Sequence, residues 1–98
     1  MAELYKIVNN EKLMQFEIHD SDSIAFLEYR FYKKDIALMH TEVPDNMGGK
    51  GVASALAAYA FQYAEETKKP VMVYCPFVAV YLKRHPELKD QLDQQYLR

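Results

Sequence analysis

The sequence predicts an α+β domain, and three observations carry that expectation. The first half consists of alternating polar and apolar runs parted by short polar breaks, the pattern of antiparallel hairpins. The second half switches to helical spacing, directly after the only three glycines in the chain. A short apolar run and a second helical stretch follow, so strands come first and helix, strand and helix come after.

Near the N-terminus, "LYKIV" reads as an edge strand. "KLMQFEIH" alternates, with Leu13, Gln15, Glu17 and His19 on one face and Met14, Phe16 and Ile18 on the other. "SIAFLEYRFY" follows the turn-forming "DSDS", and "IALMHTEV" follows "KKD". From Gly51 to about Thr67 no proline interrupts, and Val52, Leu56, Tyr59, Ala60 and Tyr63 recur at helical spacing, with Ala53, Ala57 and Ala64 among them. Alanine is the best helix former, and its small side chain lets a helix lie close to a sheet. "TKKP" predicts the stop, with cations near the negative helix end and Pro70 beyond it. "VMVY" has the composition of a strand buried on both faces. Pro76 suits the first turn of a helix over "FVAVYLKRH", and "PELKDQLDQQYLR" reads as a polar final helix or tail.

A length of 98 residues suits one domain, spanning 1–98, with a modest core. The net charge of −2 lacks the basic excess of a nucleic-acid binder. The single cysteine, Cys75, allows no intramolecular disulfide, which fits a reducing compartment. The N-terminus lacks the apolar core of a signal peptide, and no apolar run approaches the ~20 residues that cross a bilayer. The expectation is a cytoplasmic protein, a monomer or weak homodimer, with neither nucleic acid nor membrane as partner. His19, His40, His85 and Cys75 show no close paired spacing, so no metal site is expected.

The glycine turn "NMGGKG" lies between "IALMHTEV" and the alanine-rich helix. Glycine permits a sharp turn and removes the side chains that would shield backbone N–H groups. With the positive end of the helix dipole, and Lys50 beside them, those amides make a site for a phosphate or pyrophosphate. A P-loop requires Ser or Thr directly after Gly-Lys, and here Gly51 follows Lys50. The dinucleotide fingerprint requires an acid ending the next strand, and here that strand ends in Tyr74-Cys75.

"NMGGKGVASAL" resembles the coenzyme A loop of the GNAT superfamily, the acyl-CoA-dependent N-acetyltransferases, whose pattern is Gln/Arg-x-x-Gly-x-Gly/Ala. Gly49 and Gly51 match its fixed glycines, Asn46 stands where Gln or Arg is usual, and Gly48 where arginine is common. From His40 to Leu88, "HTEVPDNMGGKGVASALAAYAF" and "VYCPFVAVYLKRHPEL" are similar to the short single-domain GNAT-like subfamily, with its H-T-x-V-P, C-P-F/Y and R-H-P-E segments.

That resemblance implies a mixed central sheet with a splayed strand pair and acetyl-CoA as cosubstrate. Thr41 and Val43 would line the pantetheine, and Asn46, Met47, Gly48, Gly49, Lys50, Gly51, Val52 and Ala53 the pyrophosphate. Its implied chemistry is transfer of acetyl to a primary amine, the acceptor being a small molecule or an exposed peptide. Glu42 is the candidate base, with His40 on the same strand face as a proton shuttle. Tyr81 is the candidate acid for the departing sulfur. Cys75, at the start of a helix, has two readings: an acyl-accepting nucleophile or a buried small side chain. The rival reading of the whole chain is a non-catalytic module that binds coenzyme A as a sensor or acts through a partner.

Overall fold

The computed structural model describes residues 5–95. The α+β expectation holds. Five strands form one mixed sheet in the order β1-β2-β3-β4-β5: β1 (Val8–Asn10), β2 (Gln15–Asp20), β3 (Ser23–Tyr32), β4 (Asp35–Glu42) and β5 (Val71–Val73). The first four pair antiparallel through tight turns, while β5 runs parallel to β4. Parallel neighbours need a crossover, and helix α1 (Val52–Glu66) supplies it. Helix α2 (Pro76–Arg84) and a 3-10 helix (Pro86–Gln91) complete the chain.

Alternation in β2 and β3 sends Phe16, Ile18, Ala25, Leu27 and Tyr29 into one core with Ile36 and Leu38 of β4. Helix α1 covers that face with Val52, Leu56, Ala57, Ala60, Phe61 and Ala64. The three alanines let its backbone sit low, and each large aliphatic or aromatic side chain buried there contributes about 1.5–3 kcal/mol. The helix ends at a left-handed Lys68 (φ 57°), and the Lys69 N–H reaches back to the Ala64 carbonyl at 2.9 Å. The stop is therefore a backbone cap, in a last turn that holds no cation.

Several local expectations shift. The N-terminal strand lies later than "LYKIV", at Val8–Asn10, and Leu4 is outside the described residues. Strand β2 starts at Gln15, because Met14 adopts φ 58° in the preceding turn. Strand β5 is not buried on both faces. It lies at the sheet edge, and Met72 and Val73 are half-buried while Tyr74 is exposed. The final segment is tied down after its 3-10 helix: Leu92 enters the core and the Asp93 N–H donates to the Val71 carbonyl at 3.0 Å.

Candidate functional site

Two irregularities in β4 build the site. The first is a bulge. Leu38 pairs with Tyr29 and His40 with Glu28, which leaves Met39 without a partner in register. The second follows at once. Pairing between β4 and β5 ends at Leu38↔Val73, and the N–H groups of Tyr74 and Cys75 both converge on the Leu38 carbonyl, at 2.9 and 3.1 Å. Beyond that point β4 continues to Glu42 while the other chain turns into α2. Pro76 sits at N1 of that helix and Cys75 at its N-cap. The strands therefore part around Met39 to Glu42 on one side and Cys75 on the other.

Register sorts the side chains at this gap. Thr41 is opposite Leu27 and so points to the helix-covered face, where its Oγ1 lies 3.2 Å from the Cys75 sulfur. Cys75 is buried, at 2% exposure, and Thr41 is the hydrogen-bond partner of its sulfur. His40 and Glu42, opposite Glu28 and Phe26, lie on the other face. Both are exposed, and His40 Nε2 is 3.2 Å from Glu42 Oε1. The gap thus has Thr41 and Cys75 on one face and a histidine–carboxylate pair on the other.

From Glu42 the chain passes through Val43 and Pro44 into one 3-10 turn, Asp45–Met47. Met47 anchors that turn with a buried side chain, and its N–H donates to the Pro44 carbonyl at 2.9 Å. The Gly48 N–H is also used, by the Asp45 carbonyl at 3.1 Å. Asn46 accepts a hydrogen bond from the Ser23 hydroxyl at 3.1 Å, which ties the turn to the start of β3.

From Gly49 on, the backbone opens. Gly49 and Gly51 have φ of 73° and 75°, and a Cβ at either would project into open space. The first helix-type bond runs from the Ala55 N–H to the Gly51 carbonyl at 3.0 Å. Among the described residues the N–H groups of Gly49, Lys50, Gly51, Val52, Ala53 and Ser54 take no acceptor. No side chain caps α1 and no acid stands in its first turn. A run of six amides without an acceptor among the described residues, at a positive helix end, fits an anionic group such as a pyrophosphate. Lys50 is exposed beside them. A cavity of about 270 Å³ flanks the turn, and its lining includes Lys50, Gly51 and Ser54 together with Tyr81 of α2 and His85 just past that helix.

Tyr81 is half-buried, its ring stacked on His85 with centroids 4.2 Å apart. Burial, and then the charge of Glu87, push its hydroxyl above the usual tyrosine range, so it carries its proton at neutral pH.

Sequence reading missed Glu17. It lies across β3 from Glu42, with Phe26 between them, yet it is buried at 4% exposure. Burial opposes its ionisation, but hydrogen bonds from Gln15, His19 and Asn10 and the charge of His19 outweigh that and hold the carboxyl below the usual range. The available signal was only its place between Gln15 and His19 on the polar face of an alternating strand. Among the described residues no group of three or more His, Cys, Asp or Glu could hold a metal ion, and no helix is long and apolar enough to cross a membrane.

A family model for the GCN5-related N-acetyl-transferase matches residues 15–91, which take in the glycine turn and both parted strands. The chain belongs to that family. Its relatives include Protein NATD1 of Xenopus tropicalis, 32% identical over an aligned length of 87 residues, with 83% of this chain and 77% of that protein covered. Protein NATD1 of Mus musculus is 36% identical over 63 residues, 63% of this chain and 57% of that protein. The solution NMR structure of a GCN5-like protein from Staphylococcus aureus superposes with a TM-score of 0.71 at 28% identity, covering 95% of this chain and 91% of that one. The mixed sheet and crossover helix are therefore a GNAT-like fold, in which β4 and β5 are the splayed pair.

Proposed function

We propose that this GNAT-like domain transfers acetyl from acetyl-CoA to a primary amine. The observation that carries the reading is the run of unengaged amides from Gly49 to Ser54, set directly after the strand that parts from β5. Asn46 through Ala53 hold the pyrophosphate, with Gly49 to Ala53 offering their N–H groups and Asn46, Met47 and Gly48 shaping the turn from behind. Thr41 and Val43 line the pantetheine. Acetyl-CoA supplies the acyl group as a thioester.

The two faces of the gap favour direct transfer. The donor enters on the helix-covered side, and the amine arrives on the exposed side that carries Glu42 and His40. Glu42, directly or through water, takes the proton from the ammonium, and His40 holds or relays it. The amine nitrogen then forms a bond to the carbonyl carbon, the carbon–sulfur bond breaks as the Tyr81 hydroxyl gives its proton to the departing sulfur, the second proton on the nitrogen restores the Tyr81 hydroxyl, and the first leaves Glu42 for solvent. The products are an amide and free coenzyme A. Cys75 lines the donor side. Its sulfur has Thr41 as partner and no base among the described residues, so it lacks the group that would activate it for acyl exchange.

A second reading keeps the donor site and drops the chemistry. The acceptor side of the gap is open: His40 and Glu42 are more than half exposed, at 58% and 63% for their side chains, as suits a sensor or a site completed by a partner. Incubation with acetyl-CoA and a panel of amines, following release of coenzyme A thiol, separates the two. Amine-dependent thiol release supports the enzyme; tight binding with no release across the panel supports the sensor.

A further inference from the structure

Tyr5 stands 45 residues from the glycine turn in sequence, yet its hydroxyl donates a hydrogen bond to the Lys50 carbonyl. That carbonyl belongs to the same peptide unit as the Gly51 N–H. A trans peptide is planar, and its C=O and N–H point in opposite directions. Whatever fixes the Lys50 carbonyl therefore fixes the direction of the Gly51 N–H.

This peptide needs such a clamp. Rotating it through half a turn changes ψ of Lys50 and φ of Gly51, and glycine accepts positive and negative φ almost equally. A Cβ built at Gly49 or Gly51 would meet nothing within 4 Å, so the space on that side of both residues is open. The Gly51 N–H takes no acceptor among the described residues. The Tyr5 hydroxyl is thus the side-chain contact that selects one of two locally comparable orientations. Its ring packs against the edge of the core, so the hydroxyl sits on a supported side chain.

We propose that Tyr5 is a positioning residue, whose hydroxyl locks the Lys50–Gly51 peptide so that the Gly51 N–H presents to the phosphates of the donor. This rests on the donor site described above. The clamp acts on binding alone: it holds the donor equally before and during transfer, so its loss raises KM for acetyl-CoA and leaves kcat in place.

Tyr5→Phe removes the hydroxyl and keeps the ring. The test measures three quantities on wild type and variant: the Kd for coenzyme A by calorimetry, the thermal midpoint, and the Gly51 amide resonance of the free protein. One lost hydrogen bond predicts a Kd weaker by roughly five- to tenfold, a Gly51 resonance that shifts or broadens, and a midpoint lowered by no more than the roughly 4–8 °C that one such bond is worth. Equal affinity in both proteins overturns the clamp and leaves the donor site standing. So does weaker binding with an unmoved Gly51 resonance, or with a midpoint lowered well beyond what one hydrogen bond is worth. A wild-type protein that binds no coenzyme A removes the donor site itself.

Discussion

The Thr41 hydroxyl lies 3.2 Å from the Cys75 sulfur, across the gap where β4 and β5 part. With its thiol held by a hydroxyl and no base hydrogen-bonded to it among the described residues, Cys75 is proposed here as a wall of the donor side rather than a nucleophile. Cys75→Ala should therefore retain turnover within about threefold, and wild-type protein incubated with acetyl-CoA alone should carry no acetyl on Cys75. A loss of two orders of magnitude, with an acetyl adduct on the wild-type sulfur, would instead establish a covalent route.

The glycines of the turn should respond unequally. Gly49 and Gly51 are left-handed, so Gly49→Ala or Gly51→Ala brings about 1 kcal/mol of strain, or roughly 4–8 °C in melting temperature. Each also sets a methyl group where an anion would approach, so affinity for coenzyme A should fall by at least about tenfold. Gly48 has φ of −72°, an ordinary value, and an added Cβ there meets only the Asp45 carbonyl at 3.4 Å. Gly48→Ala should cost under about 0.5 kcal/mol. Equal melting temperatures for all three variants would refute this ranking.

Much of this was legible beforehand because the relevant signals are local. Alternation in "KLMQFEIH" set Phe16 and Ile18 on one face, which the fold turns to the core, and the glycine–alanine junction marked the start of α1. What escaped depends on contacts distant in sequence. The bulge at Met39 falls just past Leu38, where β4 loses β5 as a partner and keeps only β3. "VMVY" looked doubly buried because composition does not reveal an edge position. Tyr5 was invisible because nothing near it in the chain announces Lys50 as its acceptor. Glu17 was placed on a face, but its burial arises from Asn10 and Gln15 closing over it together with His19.

Asp35 predicts a pH dependence of stability. It is buried at the start of β4, and one oxygen has no hydrogen-bond partner. Burial, followed by the hydrogen bond and charge of Asp93, pushes its carboxyl above the usual range, while Lys34 pulls weakly the other way. The folded chain holds this proton more tightly than the unfolded chain does. The resulting stabilisation is complete below the unfolded value near 3.8 and is lost as pH rises through the folded one. Asp35→Asn stays neutral throughout, so it should be more stable than wild type at pH 7 by about 1 kcal/mol, with the difference closing as pH falls to about 4. Urea midpoints measured across that range check the trend; a difference independent of pH would reject it.

Glu42 sits at the exposed end of β4, with His40 3.2 Å away. If it accepts the amine proton, Glu42→Gln should lower kcat by about 10²-fold while the KM for acetyl-CoA stays near wild type. His40→Gln should lower kcat by less, because the histidine acts through the carboxylate. Steady-state kinetics on any amine that supports turnover test both; an unchanged kcat in Glu42→Gln would move the base elsewhere, with Glu17 next on the same face.

The most direct test of the central claim is a titration of the protein with coenzyme A, following backbone amide resonances. The account predicts the largest shifts at Gly49, Lys50, Gly51, Val52 and Ala53, with smaller ones at Thr41 and Val43 and little change at Met47 and Gly48, whose N–H groups are already bonded. Saturable binding that leaves Gly49 to Ala53 unmoved would contradict it.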